Sequence, residues 1–117
     1  MDSLDLTKSI VKILDAKKAN NLEVIKVCEV TILGDYFVIA SANNTTHVKS
    51  LVDEVEFEMK QKGVQPMRVE GYQDTNWIII DYGDVIVHIF YEETRNFYNL
   101  EKLWANGEKI EIEEILK

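Results

Sequence analysis

The sequence predicts an α/β (α+β) fold, a sheet of about five strands with helices mainly on one face. Three observations carry this expectation. The chain has 117 residues, enough for one hydrophobic core and too few for two well-filled ones. Two long stretches place apolar residues at helical spacing. Short runs rich in valine, isoleucine and aromatics lie around them, and one doubles back through a glycine turn. With one proline and five scattered glycines there is no linker, repeat or low-complexity tract, so residues 1–117 are read as a single domain.

Along the chain, Leu6, Ile10, Ile13 and Leu14 recur at helical spacing behind the capping candidates Ser3 and Asp5. They predict a helix over about residues 4–19, ended by Asn20 and Asn21. Residues 22–32, rich in valine and isoleucine around Cys28, read as a strand, and the apolar run Tyr36 to Ala40 as a buried one. Val48, Leu51, Val52, Val55 and Met59 stripe a second helix over about residues 45–62, with Gly63 as its C-terminal cap. Phe57 points away from that stripe, either as a partly exposed aromatic or as a subunit contact. Met67 to Glu70 after Pro66 is a short strand. Residues 95–104 read as helical, and the charged tail as a last helix or a short strand plus helix.

The hairpin is the clearest element. Gly83-Asp84 is a two-residue turn with glycine first, as a type II′ turn needs, between strands at 77–82 and 85–91. That turn fixes the register. Tyr82 pairs with Val85, Ile80 with Val87 and Ile78 with Ile89 on one face. On the other, Asp81 pairs with Ile86, Ile79 with His88 and Trp77 with Phe90. The first face is almost wholly aliphatic, as expected beneath packed helices. The second mixes Trp, Phe, His and Asp among aliphatics, the composition of a sheet face offered to a partner. The alternative is a helix that covers this face and leaves its polar groups at the margin.

Composition narrows the function. Acidic residues outnumber Lys plus Arg by 21 to 13, a formal net charge of -8. Phosphate contacts need a basic surface, so a plain nucleic-acid binder and a binder of anionic membranes are both disfavoured. A basic partner or a small molecule fits better. One cysteine, Cys28, excludes an internal disulfide. No apolar run approaches transmembrane length. The acidic start, Met1-Asp2-Ser3-Leu4-Asp5, resembles neither a transit peptide nor a signal peptide, and a cytoplasmic location is expected.

Catalytic signatures are scarce. Neither glycine-rich phosphate-loop pattern occurs, and one Cys with the remote His47 and His88 makes no zinc set. Cys28 in an apolar strand reads as a small core residue rather than a nucleophile. Asp81, Asp84, Glu92 and Glu93 suit turn and helix-start positions better than a metal site. His88, on the mixed face, stands between a functional and a structural histidine. Arg95 lies beside Phe97 and Tyr98, as at protein-binding hot spots, or else pairs with a nearby Glu. No cofactor, metal or enzymatic activity is expected.

The run Val69-Glu70-Gly71, Trp77, Asp81-Tyr82-Gly83-Asp84-Val85, Val87-His88, Glu93, Arg95, Phe97-Tyr98, Leu100-Glu101 and Leu103-Trp104 closely resembles the ribosomal silencing factors, the RsfS or Iojap family. Asp35-Tyr36-Phe37-Val38-Ile39-Ala40 and His47-Val48 resemble its upstream motifs. Gly34 and Thr46 depart from it, standing where Thr or Ser and Arg are frequent. The resemblance implies a mixed sheet shaped like that of nucleotidyltransferases without their catalytic apparatus. It implies binding to the large ribosomal subunit through a ribosomal protein on the intersubunit face. That binding would block subunit joining and repress translation when nutrients are limiting. It also implies a homodimer that gives way to a monomer on the ribosome. The partner contacts carried over are Trp77, Asp81, His88, Phe90, Arg95 and Tyr98. A degenerate nucleotidyltransferase-like nucleotide binder is the alternative, but the Gly-Ser loop such enzymes need is absent. An acidic binder would be steered to a basic ribosomal protein and repelled by the surrounding RNA, with no sequence-specific nucleic-acid contact.

Overall fold

Asp2 caps the first helix, α1 (Ser3–Ala16), by accepting the Asp5 N–H at 2.8 Å, so the cap lies ahead of both expected candidates. The computed structural model describes residues 1–117. Helix α1 ends earlier than expected, because Lys18 takes a left-handed conformation (φ 62°) and turns the chain into β1 (Asn20–Lys26). The asparagines expected to end the helix belong to β1, where a register shift between Asn20 and Glu23 accommodates Asn21 at φ 51°.

Strand β1 stops well short of residue 32. The Val27 carbonyl accepts the N–H groups of Val30 and Thr31, closing a turn that carries Cys28 into solvent. Cys28 is therefore an exposed thiol, not a core residue. Strand β2 (Tyr36–Ala42) is buried throughout, as its apolar run predicts. Helix α2 (Thr45–Gln61) is capped by Asn44, which accepts the His47 N–H at 2.7 Å, and Gly63 takes the positive φ expected after its end. Phe57 is exposed.

Strands β3 (Arg68–Glu70), β4 (Trp77–Asp81) and β5 (Val85–Tyr91) follow. Five residue pairs of the hairpin, from Trp77 with Phe90 to Asp81 with Ile86, match the expected register. Gly83 has φ 88°, the sign its turn position demands, and its N–H donates to Asp81 Oδ1 at 2.7 Å. The segment read as one helix over 95–104 is two, α3 (Glu92–Tyr98) and α4 (Leu100–Leu103). Asn99, at φ 48°, breaks them; asparagine tolerates that region better than most residues. The tail is a short strand, β6 (Glu108–Ile110), plus a short helix, α5 (Ile112–Leu116).

The sheet is mixed and has six strands, ordered β3-β4-β5-β2-β1-β6, one more than expected because β6 pairs antiparallel with β1. The β2–β5 pair is parallel and the other pairs are antiparallel. Helices α1, α2 and α5 cover the aliphatic face, where Ile10, Leu14, Leu51 and Met59 pack on Val38, Ile78, Ile80 and Val87 with no residual exposure. A smaller cluster on the opposite face joins Ile25, Phe37, Ile39 and Phe90 to Leu100 of α4, with Trp77, Ile86 and Trp104 at its edge.

Candidate functional site

The mixed face of the hairpin is half covered. Leu100 and Trp104 pack with Ile25, Val27, Phe37 and Ile39 of the β1–β2 side. The β3–β4–β5 side keeps a cleft of 340 Å³, floored by Phe37, Ile79, Ile86 and His88 and edged by Leu33 and Asp81. Helices thus cover one half of this face and leave the other open.

Trp77 sits at the boundary. Its position in the chain is set by Gly71, whose φ of 82° brings the backbone so close that a Cβ there would collide with the Trp77 carbonyl oxygen. The indole stacks on Phe90 with ring centres 5.0 Å apart and planes 23° from parallel, and Tyr98 leans on it at 4.9 Å. Its Nε1–H donates to His88 Nδ1 at 3.1 Å. An accepting Nδ1 means that the neutral His88 ring carries its proton on Nε2. That Nε2 has no hydrogen-bond partner; the Phe37 ring stands against the imidazole at 5.0 Å in an edge-on arrangement. Burial pushes the His88 pKa down to about 4, so the ring is neutral near pH 7 and holds the indole by acceptance.

The six expected contacts therefore separate by exposure. Trp77 is half-buried and Tyr98 is 53% exposed. Phe90 is fully buried and His88, at the bottom of the cleft, is only 6% exposed, so both support Trp77 from beneath. Asp81 lies on the cleft edge, 3.2 Å from the Arg68 guanidinium. Arg95 is a buried group, 7% exposed, and not a surface contact. Its Nε lies 2.7 Å from Glu101, one Nη donates to Ser41 Oγ at 3.1 Å, and the other lies 3.8 Å from Glu23. This network ties α3 to α4, β1 and β2.

Exposed residues absent from the expected set complete the surface. Phe97 is 82% exposed and meets Tyr98 edge-on at 5.2 Å. Ile79 and Ile86 are partly exposed in the cleft floor, and the hairpin register already placed both on this face. Leu33, 63% exposed, comes from the β1–β2 loop, which no local pattern assigns to this face. No group of three or more His, Cys, Asp or Glu is arranged to hold a metal ion, and no helix is long and apolar enough to cross a membrane. Chemically, the surface is an apolar and aromatic patch whose cleft is edged by Asp81 and Glu70 with Arg68 paired between them.

A family model described as ribosomal silencing factor during starvation matches residues 1–117. A ribosomal silencing factor of Halalkalibacterium halodurans is 32% identical, over 99% of this chain and 99% of its own length. The Bacillus subtilis ribosomal silencing factor is 34% identical over 86% of this chain and 88% of its length. A mouse protein named for mitochondrial assembly of the ribosomal large subunit is 32% identical over 82% of this chain and 43% of its own. A crystal structure from Chromobacterium violaceum superposes with a TM-score of 0.87 at 27% identity, covering 90% of this chain and 88% of that one.

Proposed function

The chain belongs to the ribosomal silencing factor family, and from that premise we propose that it binds the large ribosomal subunit and sterically blocks subunit joining. The contact is with a ribosomal protein on the joining face, and its effect is to repress translation when nutrients are limiting. The observation that carries the reading is the half-bare sheet face with Trp77, Phe97 and Tyr98 at its edge, an aromatic cluster of the type that anchors protein interfaces. Two further features support it. The net charge of -8 favours a basic protein over the RNA around it. The mouse relative's name refers to the ribosomal large subunit.

Within this reading Trp77 and Tyr98 touch the partner and Asp81 lies at the margin. His88 and Phe90 hold Trp77, and Arg95 holds α3. The block needs no catalysis, because a body seated on one face excludes a second large body from it. A homodimer would use the same aromatic face and give way on the ribosome.

The test is retention of isolated large subunits by the immobilised protein. Trp77→Ala is expected to weaken binding by roughly 2–4 kcal/mol, the cost of truncating a central aromatic. Equal retention by wild type and variant would remove Trp77 as the anchor.

A further inference from the structure

A second hollow, of 440 Å³, lies against Trp77 and is separate from the cleft that holds His88. Trp77, Phe97 and Tyr98 form its aromatic wall, while Asp74, Asn76 and Glu93 supply the polar side. The rings do not close on one another: Tyr98 is tilted 46° to Trp77 and stands at 89° to Phe97. Ring surface is thereby left turned to the opening, as the 82% exposure of Phe97 records. Asp74 and Glu93 are both exposed, and neither takes part in any of the ion pairs of the molecule. The only hydrogen bond to the Asp74 carboxylate comes from the Asn76 amide, which donates to it at 3.0 Å.

We infer that this hollow receives an arginine side chain of the partner protein. A planar guanidinium stacks on aromatic faces while its N–H groups donate to carboxylates at the edge of its plane. The hollow offers both, side by side. Lysine would bring only a strongly hydrated point charge, and a phosphate would meet two carboxylates. A second copy of this chain is a poor occupant, because it has only two arginines. Arg95 is buried and Arg68 is already paired with Asp81 and Glu70. The partner's identity as a ribosomal protein rests on the proposed function, but the chemistry of the hollow does not.

The experiment has two arms. Binding of isolated large subunits is measured at low and moderate salt for the wild type and for Asp74→Asn with Glu93→Gln. The double variant keeps the shape of the hollow and removes its charge. It is expected to bind roughly tenfold more weakly, with a shallower dependence on salt. Binding as tight as wild type, with the same salt dependence, overturns the inference and leaves the subunit-binding reading intact. If the wild type itself retains no large subunits, that reading fails, and the second arm decides the hollow alone. A short acetylated Gly-Arg-Gly amide is titrated while the Trp77 indole N–H resonance is followed, assigned through Trp77→Phe. The same titration is run with citrulline, which has the shape of arginine without its charge. A saturable shift with arginine and none with citrulline supports the inference. Equal shifts, or no shift with arginine, overturn it.

Discussion

His88 and Trp77 act as one unit, and that unit is sensitive to protonation. The imidazole accepts from the indole only while Nδ1 carries no proton, and the indole N–H has no other partner in the structure. Burial depresses the His88 pKa from the 6.5 of an unfolded chain to about 4. The unfolded chain therefore takes up the proton first as pH falls. The stability contribution of neutral His88 is complete above about pH 6.5, erodes between there and pH 4, and is gone below. Its size follows from the gap between the two values, roughly 3 kcal/mol. Urea unfolding across pH 4 to 7 checks this: His88→Gln is expected to show a flatter stability profile in that window than wild type. Identical profiles would mean that His88 does not titrate differently on folding. At the same scale, the buried Phe90 ring explains why a substitution there would act on Trp77 by loosening its stack rather than by removing a partner contact.

At the scale of elements, the surface depends on how α3 and α4 are turned over the sheet. Arg95 fixes this turn through Glu101, Glu23 and Ser41, residues from three other elements. Arg95→Met fills most of the volume but leaves the Glu101 carboxylate without its cation, while Glu23 keeps Lys109 at 3.0 Å. Glu101 is about a quarter exposed and can rehydrate, so the loss falls below that of a fully buried pair, about 2 kcal/mol of stability. Chemical denaturation measures it, and near-ultraviolet circular dichroism should show Trp77 losing its fixed contact with Tyr98. Unchanged stability and an unchanged aromatic signal would mean that α3 is held by other contacts. The same elements show what could be read in advance. Gly83 and Asp84 set the hairpin register, so the pairing of Trp77 with Phe90 and of Ile79 with His88 was legible from local pattern alone. The burial of Phe90, His88 and Arg95 was not. It follows from the left-handed Asn99, which bends Leu100 and Trp104 back over the sheet. It follows equally from pairings of Arg95 with residues 54 to 75 positions away. Neither leaves a periodicity in sequence. Family motifs marked Arg95 as a residue that matters without telling a contact from a brace.

At the scale of the whole molecule, the proposed block is steric and the proposed recognition electrostatic. The chain measures 33 × 33 × 28 Å, so once seated on a joining face it holds that face apart from any second large body. Its net charge of -8 repels RNA phosphates and favours approach to a basic protein, an effect that salt screens within about 10 Å. Binding does not by itself entail blocking. The direct measurement is sedimentation or light scattering of purified large and small subunits mixed under joining conditions, with the protein bound beforehand to the large subunit. Wild type is expected to suppress formation of joined ribosomes in proportion to its occupancy, and Trp77→Ala to suppress it far less at the same concentration. Joining that proceeds unchanged on large subunits shown to carry the bound protein would contradict the proposed block.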